Sequence, residues 1–152
     1  MKKDIQDLNK KTVELYLEQI HADKRLERHN LFIEEGESGL WTTDSGEPIV
    51  IKGKDELKKH AKWSLECFPD WTWYDIKIFT THDPNHIWVE CKGKGKICLP
   101  DYPIGHYHNH FIHSFEMQNG LIKRNREFMN PILQMKSLGL TTPKIKRTGL
   151  DK

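Results

Sequence analysis

The stretch GHYHNHFIHSFEMQNGLIKRNREFM, Gly105 to Met129, decides the fold. Its two halves flank Asn119-Gly120, a dipeptide that tolerates the positive φ angles of a tight hairpin turn. Gly105 to Met117 therefore reads as one strand and Leu121 to Met129 as its antiparallel return. Alternation puts Tyr107, Asn109, Phe111, His113 and Phe115 on one face of the first strand and His106, His108 and His110 on the other. Upstream, His86 to Leu99 is a further long strand, broken by Pro100-Asp101-Tyr102-Pro103. Trp71 to Thr81 is another, stopped by the turn residues His82-Asp83-Pro84-Asn85. The second half of the chain is thus a meander of long antiparallel strands.

The first half is mainly helical. Residues 3–20 carry Val13, Tyr16, Leu17 and Ile20 on one helix face, and a shorter helix runs from Ala22 to Asn30. Within Gly39 to Ile51 two short strands are expected around Asp44-Ser45-Gly46. Lys54 to Phe68 is a third helix whose Leu57, His60, Ala61, Ser64, Leu65 and Phe68 share a face. A last helical turn begins at Asn130-Pro131, and the tail 141–152 is expected to be loosely ordered or to pack on a partner. The layout is α+β: one domain over residues 1–152, with N-terminal helices packed on a curved antiparallel sheet. His60 and Ser64 lie one turn apart on the sheet-facing side, and buried polar groups left without partners cost about 1–3 kcal/mol each. A polar cavity between helix and sheet, open at one end, meets that demand.

The totals exclude several classes. Lys and Arg number 24 against 22 Asp and Glu, with no basic block before the tail, which argues against nucleic acid as a partner. No apolar run is long enough for a membrane span, and the first residues lack the apolar core of a secretory signal. The three cysteines, Cys67, Cys91 and Cys98, have no CxxC spacing and read as free thiols of a cytoplasmic protein. His106, His108 and His110 share a strand face as metal ligands do, but the aromatic face is the natural interior, so solvent or a partner is the expected neighbour. No metal site is expected. No Ser/His/Asp arrangement, dinucleotide fingerprint or phosphate loop is present, and no cofactor is implied.

Three further residues are open on the residues alone. Glu127, between Arg126 and Phe128, is either an exposed ion pair with a neighbouring arginine, the commoner arrangement, or a buried acid; strand parity does not choose. Arg28 is either a surface helix residue or a carboxylate clamp. Tyr107 is either a core tyrosine or a ligand contact.

A set of segments nevertheless resembles one family. They include Arg28-His29 to Phe32, Gly39-Leu40-Trp41-Thr42-Thr43, Pro48 to Lys54 and His60-Ala61-Lys62-Trp63-Ser64-Leu65. Cys67-Phe68-Pro69-Asp70-Trp71, Asp83-Pro84-Asn85-His86, Asn109-His110-Phe111, His113-Ser114-Phe115-Glu116 and Ile122 to Asn130 continue the pattern. Together they resemble the phenazine biosynthesis protein A/B family, small cone-shaped dimers similar in fold to ketosteroid isomerase and nuclear transport factor 2. The resemblance implies an NTF2-like fold, a homodimer and no cofactor. It implies a reaction in which two amino-oxo-cyclohexene carboxylate molecules, two per pocket, condense through two imine formations with loss of two waters. Glu127 matches the family's acid and His60 its histidine; Ser64, Arg28 and Tyr107 match positions lining the ligand pocket. Some family members lack the acid and histidine while keeping the fold, whereas this chain has both. The alternatives are a carrier that shelters a labile intermediate, and an isomerase or dehydratase acting on a different cyclic ketone.

Overall fold

The structure, a computed structural model, describes residues 1–18 and 21–150. The chain begins with helices α1 (Lys2–Glu18) and α2 (Ala22–Leu26) and a 3-10 turn (Arg28–Leu31). Strands β1 (Phe32–Leu40) and β2 (Ile49–Lys52) and helix α3 (Lys54–Cys67) follow. Strands β3 (Thr72–Thr80), β4 (His86–Ile97), β5 (Gly105–Gln118) and β6 (Leu121–Phe128) precede a short α4 (Pro131–Ser137). Ile20, expected on the apolar face of the first helix, lies outside the described residues. Residues 141–150 form neither helix nor strand.

The meander forms as read: β3, β4, β5 and β6 pair in succession, each antiparallel to the next. Asn119 and Gly120 take φ of 52° and 79°, the left-handed pair that a two-residue hairpin of this twist requires. The six-stranded order is β2-β1-β6-β5-β4-β3. Two features depart from the expectation. The sheet is not wholly antiparallel, because β1 lies parallel to β6. And β1 begins at Phe32, seven residues before the expected Gly39. Phe32-Ile-Glu-Glu-Gly-Glu-Ser-Gly-Leu40 combines residues of poor strand propensity with a register shift between Phe32 and Glu37, so no alternation was visible. The helix expected over Ala22 to Asn30 is divided by Glu27, whose φ and ψ leave the helical region.

The core sits between the helices and the inner sheet face. Ile87, Val89 and Cys91 of β4, Phe111 and Phe115 of β5 and Ile122 of β6 meet Val13, Tyr16 and Leu17 of α1. Each such aliphatic or aromatic side chain taken from water is worth about 1.5–3 kcal/mol before chain entropy is counted. Leu57 and Ala61 anchor α3 over β1 and the turn before it. The register shifts in β1, β3 and β6, the second next to Asp75 at φ 51°, bend the sheet around the helices. What that curvature leaves unfilled is the cavity.

Candidate active site

A cavity of about 200 Å³ lies between α3, the 3-10 turn and the inner face of β1, β5 and β6. Its wall includes Arg28, His60, Ser64, Tyr107 and Glu127, the five residues singled out above. Ile49 and Trp63, also in the wall, are 54% and 44% exposed, so the mouth opens between β2 and α3. Deeper in, the wall is aromatic: Phe32, Trp71, Trp73 and Phe111.

Glu127 is held by β6. Its residue pairs with His113 across β5 and with Leu40 across β1, and its carbonyl accepts from Trp41 N at 2.8 Å. Alternation then sends Arg126 to the outer face and Glu127 inward. The exposed ion pair therefore does not form. Arg124 instead bridges Glu116 and Glu37 on the outer face, and Arg126 donates to Ser114 Oγ and lies against the rings of Trp41, Trp88 and Phe128. The Glu127 side chain keeps 26% of its surface accessible within the cavity wall. Burial pushes its carboxyl group up from the ordinary 4.5 to about 7, against the opposing pull of the Arg28 charge. Near neutrality it is a carboxylic acid as often as a carboxylate.

His60 projects from α3, half-buried, and stacks on Trp63 with ring centroids 5.3 Å apart. Burial, and secondarily the Arg28 charge, lowers its pKa, which favours the neutral imidazole. Ser64 lies one turn on. Its partner is Arg25, a residue with no sequence signal: a guanidinium nitrogen of Arg25 stands 3.1 Å from Ser64 O and 3.5 Å from Ser64 Oγ, while another bonds Phe68 O. The helix expected there gave no reason to bury an arginine. Arg28, displaced from helix to 3-10 turn, sets its guanidinium 4.7 Å from the Tyr16 ring centre. Tyr107 is buried, and its hydroxyl accepts from Asn109 Nδ2 at 2.9 Å. Burial raises the pKa of that hydroxyl, so it stays protonated.

Three more groups stand in or behind the wall, and the sequence assigned no role to Asn125 or His113. The Trp73 indole N–H lines the cavity and is buried with no hydrogen-bond partner among the described residues. Asn125 lines it too and joins Tyr16, Ser38 and His113 in one network. His113 lies behind Glu127, and its inward face was legible from the alternation of β5 even though its role was not. His106, His108 and His110 are exposed on the outer face, in register with Lys96, Lys94 and Lys92, and His110 pairs with Glu90 at 2.7 Å. Among the described residues no three His, Cys, Asp or Glu side chains are grouped to hold a metal ion. No helix among them is long and apolar enough to cross a membrane.

The chain is similar to known proteins over almost all its length. It is 61% identical over 142 residues to phenazine biosynthesis protein PhzB of Pseudomonas fluorescens, covering 93% of this chain and 87% of that one. The crystal structure of a phenazine biosynthesis-related protein, phzb2, from Pseudomonas aeruginosa superimposes with a TM-score of 0.95 at 57% identity, over 97% of this chain and 91% of that one. A hypothetical protein with ketosteroid isomerase-like fold from Catenulispora acidiphila superimposes with a TM-score of 0.69 at 12% identity, over 87% and 97% of the two chains, and shows that the α+β fold is of that type. A sequence profile for phenazine biosynthesis protein A/B matches residues 2–152, and with these relatives it establishes that the chain belongs to that family.

Proposed function

We propose that this protein acts in phenazine biosynthesis as a cofactor-free condensing enzyme. It joins two molecules of an amino-oxo-cyclohexene carboxylate into the tricyclic phenazine-dicarboxylate precursor. The observation that carries the reading is Glu127: a carboxyl group in the wall of a largely aromatic cavity, with a pKa moved to about 7. A general acid works best when its pKa lies near the working pH.

The amine nitrogen of one molecule attacks the ketone carbon of the other, forming the C–N bond. Proton transfer from nitrogen to oxygen gives a hemiaminal. Glu127 then protonates the hemiaminal hydroxyl, the C–O bond breaks as the nitrogen lone pair moves in, and water leaves. The iminium N–H returns its proton to the Glu127 carboxylate, and the sequence repeats at the second amine and ketone. Two waters depart and no oxidant is consumed. His60, neutral, hydrogen-bonds the intermediate and relays protons, and Ser64 orients ligand or imidazole. Arg28 faces a substrate carboxylate, which offsets repulsion between two anions in one chamber. Tyr107 and the aromatic wall seat the rings. Orientation is the other contribution, though for a reaction between groups that already combine unaided it falls well short of the ~7–11 kcal/mol of ideal cases.

Glu127→Gln is expected to slow tricycle formation about 100-fold relative to the unaltered protein, and His60→Ala to slow it less. Product is followed against the spontaneous background at equal substrate. Background-level yield from the unaltered protein, with binding retained, favours the carrier reading instead. The exposed apolar residues of the outer sheet face, Phe79 and Ile112, support a homodimer, which light scattering tests.

A further inference from the structure

We propose that His113 is the positioning residue for Glu127: a neutral imidazole, fixed by Asn125 in its Nε2–H form, that donates to Oε1 and so keeps the transferable proton on Oε2. The proposal rests on the acid role assigned to Glu127 above and deepens it.

The tautomer follows from the hydrogen bonds around Asn125. Its Oδ1 accepts from the Tyr16 hydroxyl at 3.3 Å and from Ser38 Oγ at 3.2 Å. Its Nδ2 donates to the Ser114 carbonyl at 3.4 Å, which only a donor can do, and the same nitrogen stands 3.3 Å from His113 Nδ1. An amide N–H pointing at Nδ1 makes Nδ1 the acceptor, so the proton of a neutral ring sits on Nε2. That Nε2 is buried and makes no hydrogen bond among the described residues. The carboxylate oxygen before it is Glu127 Oε1, at 3.8 Å. His113 and Glu127 are cross-strand partners, so β5 and β6 hold the two side chains side by side.

The ring is not free to turn elsewhere. Phe111 and Phe115 stack on either side, at centroid distances of 6.1 and 5.6 Å, and Trp73 and Tyr16 meet it edge-on at 4.9 and 6.4 Å. A shift of the longer and partly accessible Glu127 side chain closes the remaining gap. In the acid form Oε1 is then the carbonyl oxygen of the carboxyl group. After proton transfer the same bond stabilises the carboxylate.

The other groups facing Glu127 leave this assignment intact. Arg28 on the 3-10 turn is cationic and pulls the carboxyl pKa down. Tyr16 on α1, Tyr107 on β5 and Cys91 on β4 also sense Glu127, and burial raises all three, Cys91 to about 12, so they stay neutral. His113 itself is held down to about 3 by burial, with the Arg28 charge adding to it, so it remains neutral wherever Glu127 exchanges its proton.

Two measurements on the whole protein test the proposal. Long-range ¹H–¹⁵N spectra of the ligand-free protein at pH 7 are expected to show His113 as the Nε2–H tautomer; an Nδ1–H ring or an imidazolium overturns the proposal. The ¹³C titration of the Glu127 carboxyl carbon is expected to move upward by about one pH unit in His113→Phe, because a donor to the charged form is lost. His113→Gln, which keeps a donor, is expected to return it, and the alkaline limb of the condensation rate should follow both variants. A midpoint unmoved in His113→Phe overturns the proposal. If that variant fails to fold, the tautomer of the unaltered protein still decides. Unimpaired condensation by Glu127→Gln would instead remove the acid role while leaving both spectra as described, so the two failures are distinguishable.

Discussion

At Glu127 two influences compete, burial that favours the acid and the Arg28 charge that favours the carboxylate, and burial prevails. Removing the weaker one has a signed consequence. Arg28→Gln is expected to raise the Glu127 pKa further. The rate, which needs the protonated acid and falls as pH rises through about 7 in the unaltered protein, should then fall at a pH roughly half a unit to one unit higher. The same variant should raise KM for the anionic substrate about tenfold, since a charge-assisted contact is lost. A pH–rate profile reads both; a limb moving to lower pH contradicts the account. These residues were unequally legible. His60 and Ser64 were readable because helical spacing alone places both on the inner face. The side taken by Glu127 was not, because both faces of Lys123 to Phe128 mix apolar and polar residues and the register shift at β5–β6 resets the parity. Arg25 was hidden for a different reason: its partners are carbonyl oxygens of Ser64 and Phe68, which no side-chain pattern advertises.

Among the elements, β4 carries Gly93, which faces the ring of Trp71, the residue just before β3. A Cβ added at Gly93 would sit against the Trp71 ring and the Phe111 ring, both part of the cavity wall. Gly93→Ala is expected to destabilise by about 1–3 kcal/mol, or roughly 2–12 °C in Tm, and to weaken substrate binding because Trp71 must shift. Thermal melts beside ligand titration check this, and an unchanged Tm would mean that the strand relaxes instead. The long strands β4 and β5 were readable from alternation and from the breakers at their ends. Strand β1 was not. Its glutamates and glycines carry no period of two, and it is stabilised by pairing on both edges, with β2 and with β6. Tertiary contact, not local preference, makes it a strand.

For the whole molecule, two buried groups tilt the stability curve in opposite directions. Glu127 has a folded pKa of about 7 against an ordinary 4.5, so its contribution is fully present below 4.5 and is lost as pH rises through 7. His113 has a folded pKa of about 3 against 6.5, so its contribution is fully present above 6.5 and is lost as pH falls toward 3. Between 4.5 and 6.5 the two slopes offset, leaving a plateau from this pair. Glu127→Gln is expected to abolish the decline near pH 7 and to exceed the unaltered protein by about 2 kcal/mol at pH 8, a value reduced to allow for the Arg28 charge left behind. Denaturant titrations at pH 5 and pH 8 measure it; equal stability at pH 8 would mean that the Glu127 charge is solvated in the folded state. The α+β class was visible in the order of helices and strands, but the parallel contact was not, since paired residues of β1 and β6 lie 87 to 90 positions apart and neither strand carries a mark of the other.

That parallel contact also governs when the site can come into being. Leu40 lies beside Glu127, so the chain must close a loop of nearly ninety residues before the acid has a wall on both sides. A nascent polypeptide still waiting for its last strand has helices and a partial sheet but no chamber. Pairing between such distant segments slows folding in general, and the chamber is complete only when this contact has formed.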